Sequence, residues 1–417
     1  MCDNGAIKPK YIQELEAHNI PYLEQVTTIA PMLPTQLVIK SPGIPHTNTL
    51  IQQLKNEHIP IISEIEFAYQ HVGNSTVVAI TGSNGKTTTT SITYHIAQHA
   101  GLNCVACGNI GNSFARQIVQ DPKEVYIVEV SSFQLDDVTT FKPNIAILTN
   151  ITPDHLDRYN YDFNLYIQAK FKLVQNLTPQ DAFIYNADDA VTIQHITQHQ
   201  PNATNYPVSM KKEFKEGAFI QNNTMVLRHR SEVMEMNVND LTIKGKHNQY
   251  NTMMAAYAVT LLGIKKEPIR QAMTTIENFE HRLEHVATIR GVEYINDSKA
   301  TNVNSTWYAL ECMHKPTILI LGGVDKGNDY SILEEMVQKK VKMIICLGID
   351  NTKIHQAFGN TTITIVNTLS AAEAVQAAYH FASVGDAVLL SPACASFDLF
   401  TNYEDRGQQF KQAVKNL

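Results

Sequence analysis

Residues 81–88, with the sequence TGSNGKTT, have the composition of a phosphate-binding loop. The apolar run 77–80 precedes them, and a segment compatible with a helix, residues 88–100, follows. Glycines let backbone N–H groups converge on phosphate oxygens, and the helix N-terminus adds a positive dipole. Lys86 supplies a point charge, and Thr87 offers a hydroxyl ligand to Mg²⁺. The segment therefore predicts binding of ATP or GTP together with Mg²⁺.

The spacing of this loop departs from the general pattern G-x-x-x-x-G-K-[ST]. Ile80 stands five residues before Gly85, where the pattern has a glycine, and the turn uses Gly82 instead. The loop is therefore a shortened variant of that pattern. A glycine turn that happens to precede a lysine is the competing interpretation, but the strand before, the helix after and the two threonines following Lys86 favour a phosphate cradle.

Two further groups of polar residues follow predicted strands. Glu129 ends the apolar run 125–128, and ligands of open α/β sheets bind at the carboxyl edge of the strands. We therefore expect Glu129 beside the phosphate loop, in a position suited to Mg²⁺. His155 follows the next apolar run, 144–148, and is predicted to meet a second cation or phosphates at the same edge. Asp157 is equally consistent with an exposed turn.

Other polar residues have weaker signals. Lys170 lies in a predicted helix among mostly uncharged neighbours, and from spacing alone it is interpreted as a solvated lysine. The segments GNIG at 108–111 and HNQYN at 247–251 adjoin predicted elements. Their amides can hydrogen-bond to sugar, amide or adenine edges, but amides at helix starts are usually caps, so both roles stay open.

Length and composition indicate a multidomain globular protein that acts on small molecules. The chain has 417 residues, of which 44% are hydrophobic, and a formal net charge of -7. This length fits two or three domains. The negative charge, without a block of like charges, argues against a nucleic-acid partner. No leader peptide and no apolar run long enough to span a bilayer occur, so we expect a cytoplasmic protein without membrane association.

The six cysteines are scattered, and only Cys104 and Cys107 form a C-x-x-C pair. A zinc site would need a second pair or nearby histidines, which the flanking sequence lacks. We expect reduced thiols, with Cys104 and Cys107 in a buried strand.

Apolar runs alternate with helix-length amphipathic segments, which predicts an α/β protein with mostly parallel sheets. Three blocks are expected, at 1–73, 74–280 and 281–417. Strands are predicted at 37–40 and 59–62 in the first block, at 125–130, 144–148 and 182–185 in the second, and at 292–295, 317–321, 342–347 and 386–390 in the third. The second block is also expected to hold β-hairpins within 210–243 and a closing helix over 248–262.

Nine segments occur in a fixed order: TGSNGKTT, EVSSFQLD, TNITPDHLDRY, YIQAKFK, HNQYN, FEHRLE, YINDSKATN, LGGVDKG and SPACASFD. Together they resemble the ATP-dependent Mur ligases of peptidoglycan synthesis, and more closely the members that add D-glutamate. The resemblance covers nearly the whole chain. It implies an enzyme that joins D-glutamate to UDP-N-acetylmuramoyl-L-alanine, with ATP and Mg²⁺. It also implies Rossmann-like outer domains, the first for the UDP-linked substrate and the third for the amino acid, around a P-loop ATPase domain. We expect a monomer.

The resemblance also implies roles for individual residues. Members of the family transfer the γ-phosphoryl group of ATP to the substrate carboxylate, and an amine then displaces phosphate. Lys86 would neutralise the transferring group, and Lys170 would be carbamylated by CO₂ and so become an anion able to bind Mg²⁺. The implied catalytic residues are Lys86, His155, Lys170 and Lys299. The implied metal ligands are Thr87, Glu129, His155 and the carbamate of Lys170.

Three binding sets are implied in the same way. The ATP set is Gly82, Ser83, Asn84, Gly85, Lys86, Thr87, Thr88, Asn248, Asn251, Arg282 and Asp297. The set for the UDP-linked substrate is Asp3, Ser41, Pro42, Gly43 and Asn109. The D-glutamate set is Thr301, Lys326, Ser396, Phe397 and Tyr403. Tyr403 stands where the family has Phe, and Phe397 where it has Leu; both changes keep apolar bulk and allow a different pocket shape.

The first domain departs from the family pattern. A dinucleotide-type domain opens with a strand, a glycine-rich turn and a helix, but before Gly43 this chain has only Gly5. We expect that the first strand-turn-helix unit is missing, with residues 1–4 as the end of a second strand and Asp3 near uracil. An impaired or non-catalytic ligase that binds ATP is therefore an alternative. A P-loop GTPase or transport ATPase would need an Asn-Lys-x-Asp or Ser-Gly-Gly-Gln segment, and neither occurs.

Overall fold

The computed structural model describes residues 1–243, 245–276 and 280–417. Phe279 of the FEHRLE segment lies outside these ranges. Within them the strands form a two-stranded, a nine-stranded and a six-stranded sheet, each built from one stretch of the chain. The predicted α/β class with mostly parallel sheets is confirmed. The domain boundaries after residues 73 and 280 remain predictions.

The N-terminal stretch contains a small parallel sheet. Its elements, in chain order, are α1 (Pro9–Ala17), β1 (Val38–Lys40), α2 (Thr49–Asn56), β2 (Ile61–Ser63) and α3 (Glu64–Tyr69). β1 and β2 pair in parallel and lie within two residues of the predicted strands. Near the start of the chain, Cys2 forms an isolated parallel bridge with Leu23.

The central stretch folds around the nine-stranded sheet. Its first elements are β3 (Thr76–Thr81), α4 (Lys86–His99), β4 (Cys104–Gly108), α5 (Phe114–Gln120), β5 (Val125–Glu129), α6 (Ser132–Leu135), β6 (Ile145–Leu148), α7 (Phe163–Phe171) and β7 (Ala182–Asn186). They are followed by α8 (Ala190–His199), β8 (Thr204–Ser209), β9 (Gly217–Gln221), β10 (Thr224–His229), β11 (Glu232–Asn237), α9 (Lys246–Leu261) and α10 (Lys266–Met273). The strand order is β11-β10-β9-β8-β7-β6-β3-β5-β4.

The central sheet is covered on both faces, and this explains its continuous apolar strands. In β3, Val78 and Ile80 pack into one hydrophobic cluster and Val77 and Ala79 into the other. Helices α4 and α9 contribute to the first cluster, and α5, α6 and α7 to the second. The sheet is parallel from β4 to β9, whereas β9, β10 and β11 are antiparallel, which confirms the predicted hairpins.

The C-terminal stretch forms the six-stranded sheet. Its elements are β12 (Glu284–Ile289), β13 (Val292–Asn296), α11 (Val303–Cys312), β14 (Thr317–Gly322), α12 (Glu334–Lys340), β15 (Val341–Leu347), α13 (Thr352–Phe358), β16 (Thr364–Thr368), α14 (Ala371–Phe381), β17 (Ala387–Ala393) and α15 (Tyr403–Lys415). The strand order is β12-β13-β17-β14-β15-β16, and only the β12–β13 pair among these described strands is antiparallel.

Among the strands of the three sheets, the sequence interpretation passed over β8, β12 and β16. β12 and β16 are edge strands of mixed exposure, and β8 contains a proline, so none has the continuous apolar run of a central strand. Cys104 and Cys107 lie buried in β4, as predicted, and burial raises their pKa values to about 11 and about 12. All six cysteines are free thiols. In the described part of the chain, no helix combines the length and apolar character needed to cross a bilayer.

Candidate active site

A cavity of about 1160 Å³ opens at the carboxyl edge of the central sheet. The loop between β3 and α4 forms its floor, and residues of the C-terminal domain form the opposite wall. Pro42 and Gly43 of the N-terminal stretch reach its rim. This is the edge at which ligands of open α/β sheets bind. Three parts of the chain therefore meet at one cavity.

The loop at 82–85 requires glycine at two positions. Gly82 has φ 149° and Gly85 has φ 83°, and a Cβ would clash with Thr149 at the first and with Asn251 at the second. Ser83 Oγ donates to the Thr152 carbonyl at 2.8 Å and lies 3.0 Å from the Tyr166 hydroxyl. Close contacts and hydrogen bonds with neighbouring segments therefore fix the conformation of this loop.

The segment after β6 forms hydrogen bonds with the phosphate loop. Asn84 N donates to Asn150 Oδ1 at 3.0 Å, and Asn150 Nδ2 donates back to the Asn84 carbonyl at 3.1 Å. Lys86 begins α4, and its Nζ donates to the carbonyls of Gly82 and Ser83 at 2.8 and 2.9 Å. Burial lowers the pKa of Lys86, and Glu129 and Asp154 act in the opposite direction. Thr87 and Thr88 line the cavity beside it.

Lys170 is buried, so its interpretation as a solvated lysine is wrong. Its exposed fraction is 1%, and its Nζ donates to the Gly82 carbonyl at 2.7 Å. In α7 the buried face includes Tyr166 and, one turn later, Lys170. The ammonium lies 4.7 Å from the Tyr166 ring. Burial and the neighbouring Lys86 cation hold the pKa of Lys170 well below its usual value.

Glu129 has a free acceptor suited to a cation. The residue is 1% exposed; its Oε1 accepts from Asn109 Nδ2 at 2.8 Å, while its buried Oε2 has no hydrogen-bond partner. The described residues hold no cluster of three or more His, Cys, Asp or Glu side chains that would cage a metal. A site with few protein ligands suits Mg²⁺, which keeps waters and binds substrate phosphates. Glu129 and Thr87 therefore fit the predicted metal.

His155 lies across the cavity in a left-handed conformation, with φ 52°. Lys326 Nζ donates to His155 Nδ1 at 3.3 Å, and the His155 ring packs against Phe133 at 4.9 Å between centroids. Burial lowers the pKa of His155 to about 4, so the imidazole is neutral and able to bind a metal. Asp157 is exposed, as the surface-turn interpretation predicts. Asp154, the other acid that the sequence places beside His155, lines the cavity.

The C-terminal domain adds charged residues from a second sheet. Arg282 lines the cavity between His281 and Leu283, which have left-handed φ values of 63° and 42°. Lys299 Nζ lies 3.7 Å from the centroid of the Tyr403 ring, and burial lowers the pKa of Lys299 to about 8. Burial also raises the pKa of Asp297 to about 7. The carboxyl group of Asp297 accepts from Ser391 Oγ and from Leu283 N.

The remaining predicted residues divide into those inside and those outside the cavity. Those that line it are Asn109, Asn248, Asn251, Thr301, Lys326, Ser396, Phe397 and Tyr403, with Pro42 and Gly43 at the rim. Asn248 and Asn251 lie inside α9, whose N-cap is Gly245, so neither caps that helix. Asp3 and Ser41 do not line it: Asp3 Oδ1 accepts from Gly5 N, and the Ser41 carbonyl accepts from Lys40 Nζ.

Comparisons with known proteins agree with this arrangement. The family model described as the Mur ligase middle domain matches residues 80–259, and that described as the Mur ligase, glutamate ligase domain matches residues 281–394. The UDP-N-acetylmuramoylalanine--D-glutamate ligase of Christiangramia forsetii is 48% identical, over 100% of this chain and 94% of the relative. The enzyme of that name from Porphyromonas gingivalis is 49% identical, over 100% and 93%.

Solved structures share the fold. UDP-N-acetylmuramate-alanine ligase MurC from Thermotoga maritima has a TM-score of 0.61 at 16% identity, over 99% of this chain and 93% of the other. The MurF ligase from Thermotoga maritima in complex with ADP has a TM-score of 0.63 at 14% identity, over 91% and 94%. At these identities the likeness concerns the fold alone.

Proposed function

The chain belongs to the Mur ligase family, and we propose that it joins D-glutamate to UDP-N-acetylmuramoyl-L-alanine, with ATP as the energy source. One observation carries the proposal: a single cavity brings together the phosphate loop, the free carboxylate oxygen of Glu129, the buried Lys170 and the cations of the C-terminal domain. The full-length relatives named for this reaction agree with it. The alternative of a non-catalytic ATP-binding protein has no support.

The reaction needs an activated carboxylate, because an amine does not displace oxide. Transfer of the γ-phosphoryl group of ATP to the alanyl carboxylate creates a phosphate leaving group. The neutral amine of D-glutamate then forms the C–N bond as the C–O bond to phosphate breaks; its nitrogen releases one proton to solvent and keeps the other as the amide N–H. When bound, Mg²⁺ supplies positive charge that offsets the phosphate oxygens.

The chain supplies fixed charges around the transfer. Lys86 lies on the loop that would cradle the phosphates, and Lys299 and Arg282 approach from the opposite wall of the cavity. Charges held in place in this way stabilise a transition state without reorganising during the reaction. Glu129 Oε2 and the Thr87 hydroxyl would hold one cation, and the neutral His155 imidazole a second.

Lys170 would serve as a carbamate. Only a neutral amine attacks CO₂, and burial, which depresses the pKa of Lys170, favours that form. In the reaction the amine nitrogen bonds to carbon, a proton leaves and an anion results. That anion would be attracted to Lys86 and to a cation at Glu129, so burial beside positive charge stabilises the modified form.

The amino acid would bind between the loops that carry Lys326 and Ser396. Lys326 offers a cation to a carboxylate, Ser396 a hydroxyl, and Thr301 orients the α-carbon, with Phe397 and Tyr403 as apolar walls. All these residues belong to one chain, so a monomer is sufficient. We place the reaction in the cytoplasm, where ATP and nucleotide-linked precursors occur.

The test is phosphate release from ATP and UDP-N-acetylmuramoyl-L-alanine, with amino acids added one at a time. D-glutamate is expected to give phosphate and a new amide in equal amounts, detected by mass spectrometry of the nucleotide product. L-glutamate and D-aspartate are expected to give little of either. Phosphate release that is independent of both the nucleotide and the amino acid would show a simple ATPase and refute the proposal.

A further inference from the structure

Arg158 of the central domain forms hydrogen bonds with the turn at residues 41–45, which has the sequence SPGIP. The Arg158 guanidinium donates to the carbonyl oxygens of Pro42 at 3.1 Å, Gly43 at 3.3 Å and Ile44 at 3.0 Å. Pro42 and Gly43 line the cavity. Because the guanidinium is planar and rigid, three successive carbonyls on it fix the orientation of the turn as well as its position.

Residues of the central domain also contact the guanidinium. The Arg158 Cζ lies 4.7 Å from the centroid of the Phe133 ring, and an Arg158 nitrogen lies 3.9 Å from Asp136 Oδ2. Both side chains of the ion pair are only 10% exposed, so water and salt screen it weakly. Tyr159 OH donates to the Asp136 carboxylate at 3.2 Å. Arg158 therefore has little freedom to move independently of its neighbours.

The segment that carries Arg158 also carries His155. Arg158 N donates to the His155 carbonyl at 3.0 Å, within the short 3-10 helix Leu156–Tyr159. Phe133 contacts both side chains, since its ring packs on His155 as well as under Arg158. A displacement of the 41–45 turn would therefore reach His155 along two routes, the backbone of the 3-10 helix and the Phe133 ring.

We propose that Arg158 is a positioning residue that couples binding of the UDP-linked substrate at the 41–45 turn to the placement of His155 at the cation site. The inference rests on the proposed function, because it takes the nucleotide-linked substrate to bind at the turn. Substrate that holds the turn on Arg158 would keep His155 in place, so it is expected to strengthen Mg²⁺ binding; because coupling is reciprocal, Mg²⁺ strengthens binding of the substrate equally.

Three variants of the full chain test the coupling. Arg158→Ala removes the cation and all its donors, and Arg158→Lys keeps the charge but loses the planar fork. Arg116→Ala is the matched control, because Arg116 also joins the central domain to the N-terminal stretch, through Glu14, but is 42% exposed and does not line the cavity. Thermal unfolding of each variant establishes that it is folded.

Calorimetric binding of UDP-N-acetylmuramoyl-L-alanine, without ATP or metal, gives the first readout. Arg158→Ala is expected to weaken binding about tenfold or more, as loss of charge-assisted hydrogen bonds does. Arg158→Lys is expected to weaken it by less, and Arg116→Ala not at all.

The second readout is the steady-state rate. The Mg²⁺ concentration for half-maximal rate is expected to rise severalfold in Arg158→Ala, while the ATP concentration required stays near that of the wild type.

Unchanged binding of the nucleotide in both Arg158 variants would overturn the proposal. Weaker binding with an unchanged Mg²⁺ requirement would also overturn it, because Arg158 would then hold the turn without reaching His155. If Arg158→Ala does not fold, Arg158→Lys decides by the same two measurements. A wild-type chain that binds the nucleotide but forms no amide would refute the proposed function alone, since the calorimetric comparison would still report on the turn.

Discussion

Asn302 of the C-terminal domain donates its side-chain amide to Asn84 Oδ1 in the phosphate loop, at 3.0 Å. The same amide donates to Asp154 Oδ2 at 3.2 Å. Ser305 Oγ, in the first turn of α11, adds a third hydrogen bond, to Asn84 Oδ1 at 2.8 Å. The C-terminal domain therefore contacts the loop that would bind phosphate, beside the cavity that Lys86, Lys299 and Arg282 line.

Asn302→Asp is expected to weaken domain closure. The Asn302 side-chain oxygen caps α11 by accepting from Ser305 N, and aspartate keeps that cap. The second oxygen, however, would face Asn84 Oδ1 and the Asp154 carboxylate, and like charges repel. We expect kcat to fall about tenfold or more, as loss of 1–2 kcal/mol at the contact implies.

Small-angle scattering checks the structural cause. An ATP analogue with the UDP-linked substrate is expected to compact the wild-type protein and to leave Asn302→Asp extended. Asn48→Asp is the control, because Asn48 caps α2 by accepting from Leu50 N and is not among the residues that line the cavity. Wild-type compaction and rate in Asn302→Asp would show that the contact is incidental.

Lys86→Ala is expected to abolish turnover and to leave the fold intact. The Lys86 ammonium donates to the loop carbonyls of Gly82 and Ser83, so its loss removes charge from the phosphate site rather than packing from the core. We expect a rate loss on the order of 10³-fold, the scale of fixed charges at a transferring phosphoryl group. ADP formation measures it. Lys339→Ala, an exposed lysine of α12, is expected to retain full activity; similar rates for the two variants would contradict the role of Lys86.

Lys170→Ala is expected to be nearly inactive and to regain part of its rate when acetate is added. The substitution opens space beside the Gly82 carbonyl, and a small carboxylate can supply the charge of the missing carbamate there. Isotope-labelled bicarbonate followed by NMR is expected to show a carbamate in the wild type and none in the variant. Lys172→Ala is the control, since Lys172 Nζ donates to the Asp136 carbonyl outside the cavity. Failure of every short carboxylate to rescue Lys170→Ala, with no labelled carbamate, would rule out the modification.

Sequence patterns predicted those strands that can be recognised from their own residues, without knowledge of their neighbours. The central strands β5, β6, β14 and β15 are continuous apolar runs because helices cover both faces of their sheets. Edge strands β12 and β16 consist mostly of partly buried and exposed residues without a continuous apolar run, so their sequences resemble loops. The positions of the phosphate loop and of Glu129 could be predicted in the same way, because each directly follows an apolar run.

Contacts between distant segments could not be read from spacing. The Asn302–Asn84 bond joins residues separated by 218 positions. The burial of Lys170 depends on which face of α7 turns towards the phosphate loop, and the mixed composition of that helix does not indicate a face. Only the resemblance to a family pointed to Lys170, and the grip of Arg158 on the 41–45 turn became visible only with both segments in place.

Asp297 is expected to make the stability of the ligand-free protein depend on pH. Its carboxyl pKa is raised by burial to about 7, whereas in the unfolded chain it is about 4. Between these values the folded protein keeps a proton that the unfolded chain has lost, so this group's contribution to stability falls as the pH rises. The total is on the order of 4 kcal/mol, since one pKa unit corresponds to about 1.4 kcal/mol.

Asp297→Asn removes that titration and keeps an oxygen for Leu283 N. The Tm of the variant relative to wild type is therefore expected to be higher at about pH 8 than at about pH 5. Ser391→Ala is the companion variant: because the Ser391 hydroxyl lowers the Asp297 pKa, its loss extends the fall in stability to higher pH. Parallel Tm–pH curves for wild type and Asp297→Asn would contradict the buried, protonated carboxyl group.

Lys326→Met is expected to impair the use of D-glutamate more than the use of ATP. Lys326 follows β14, lines the cavity and donates to His155 Nδ1, so its remaining N–H groups can bind a substrate carboxylate. Methionine keeps much of the chain length and removes the charge. We expect the KM for D-glutamate to rise on the order of 100-fold, because the substrate carboxylate loses its charged partner in a partly desolvated site. The KM for ATP is expected to change less. Lys353→Met is the matched control: Lys353 pairs with Asp325, next to Lys326, but is 51% exposed and outside the cavity. Equal KM values for D-glutamate in the two variants would show that another residue recognises the amino acid.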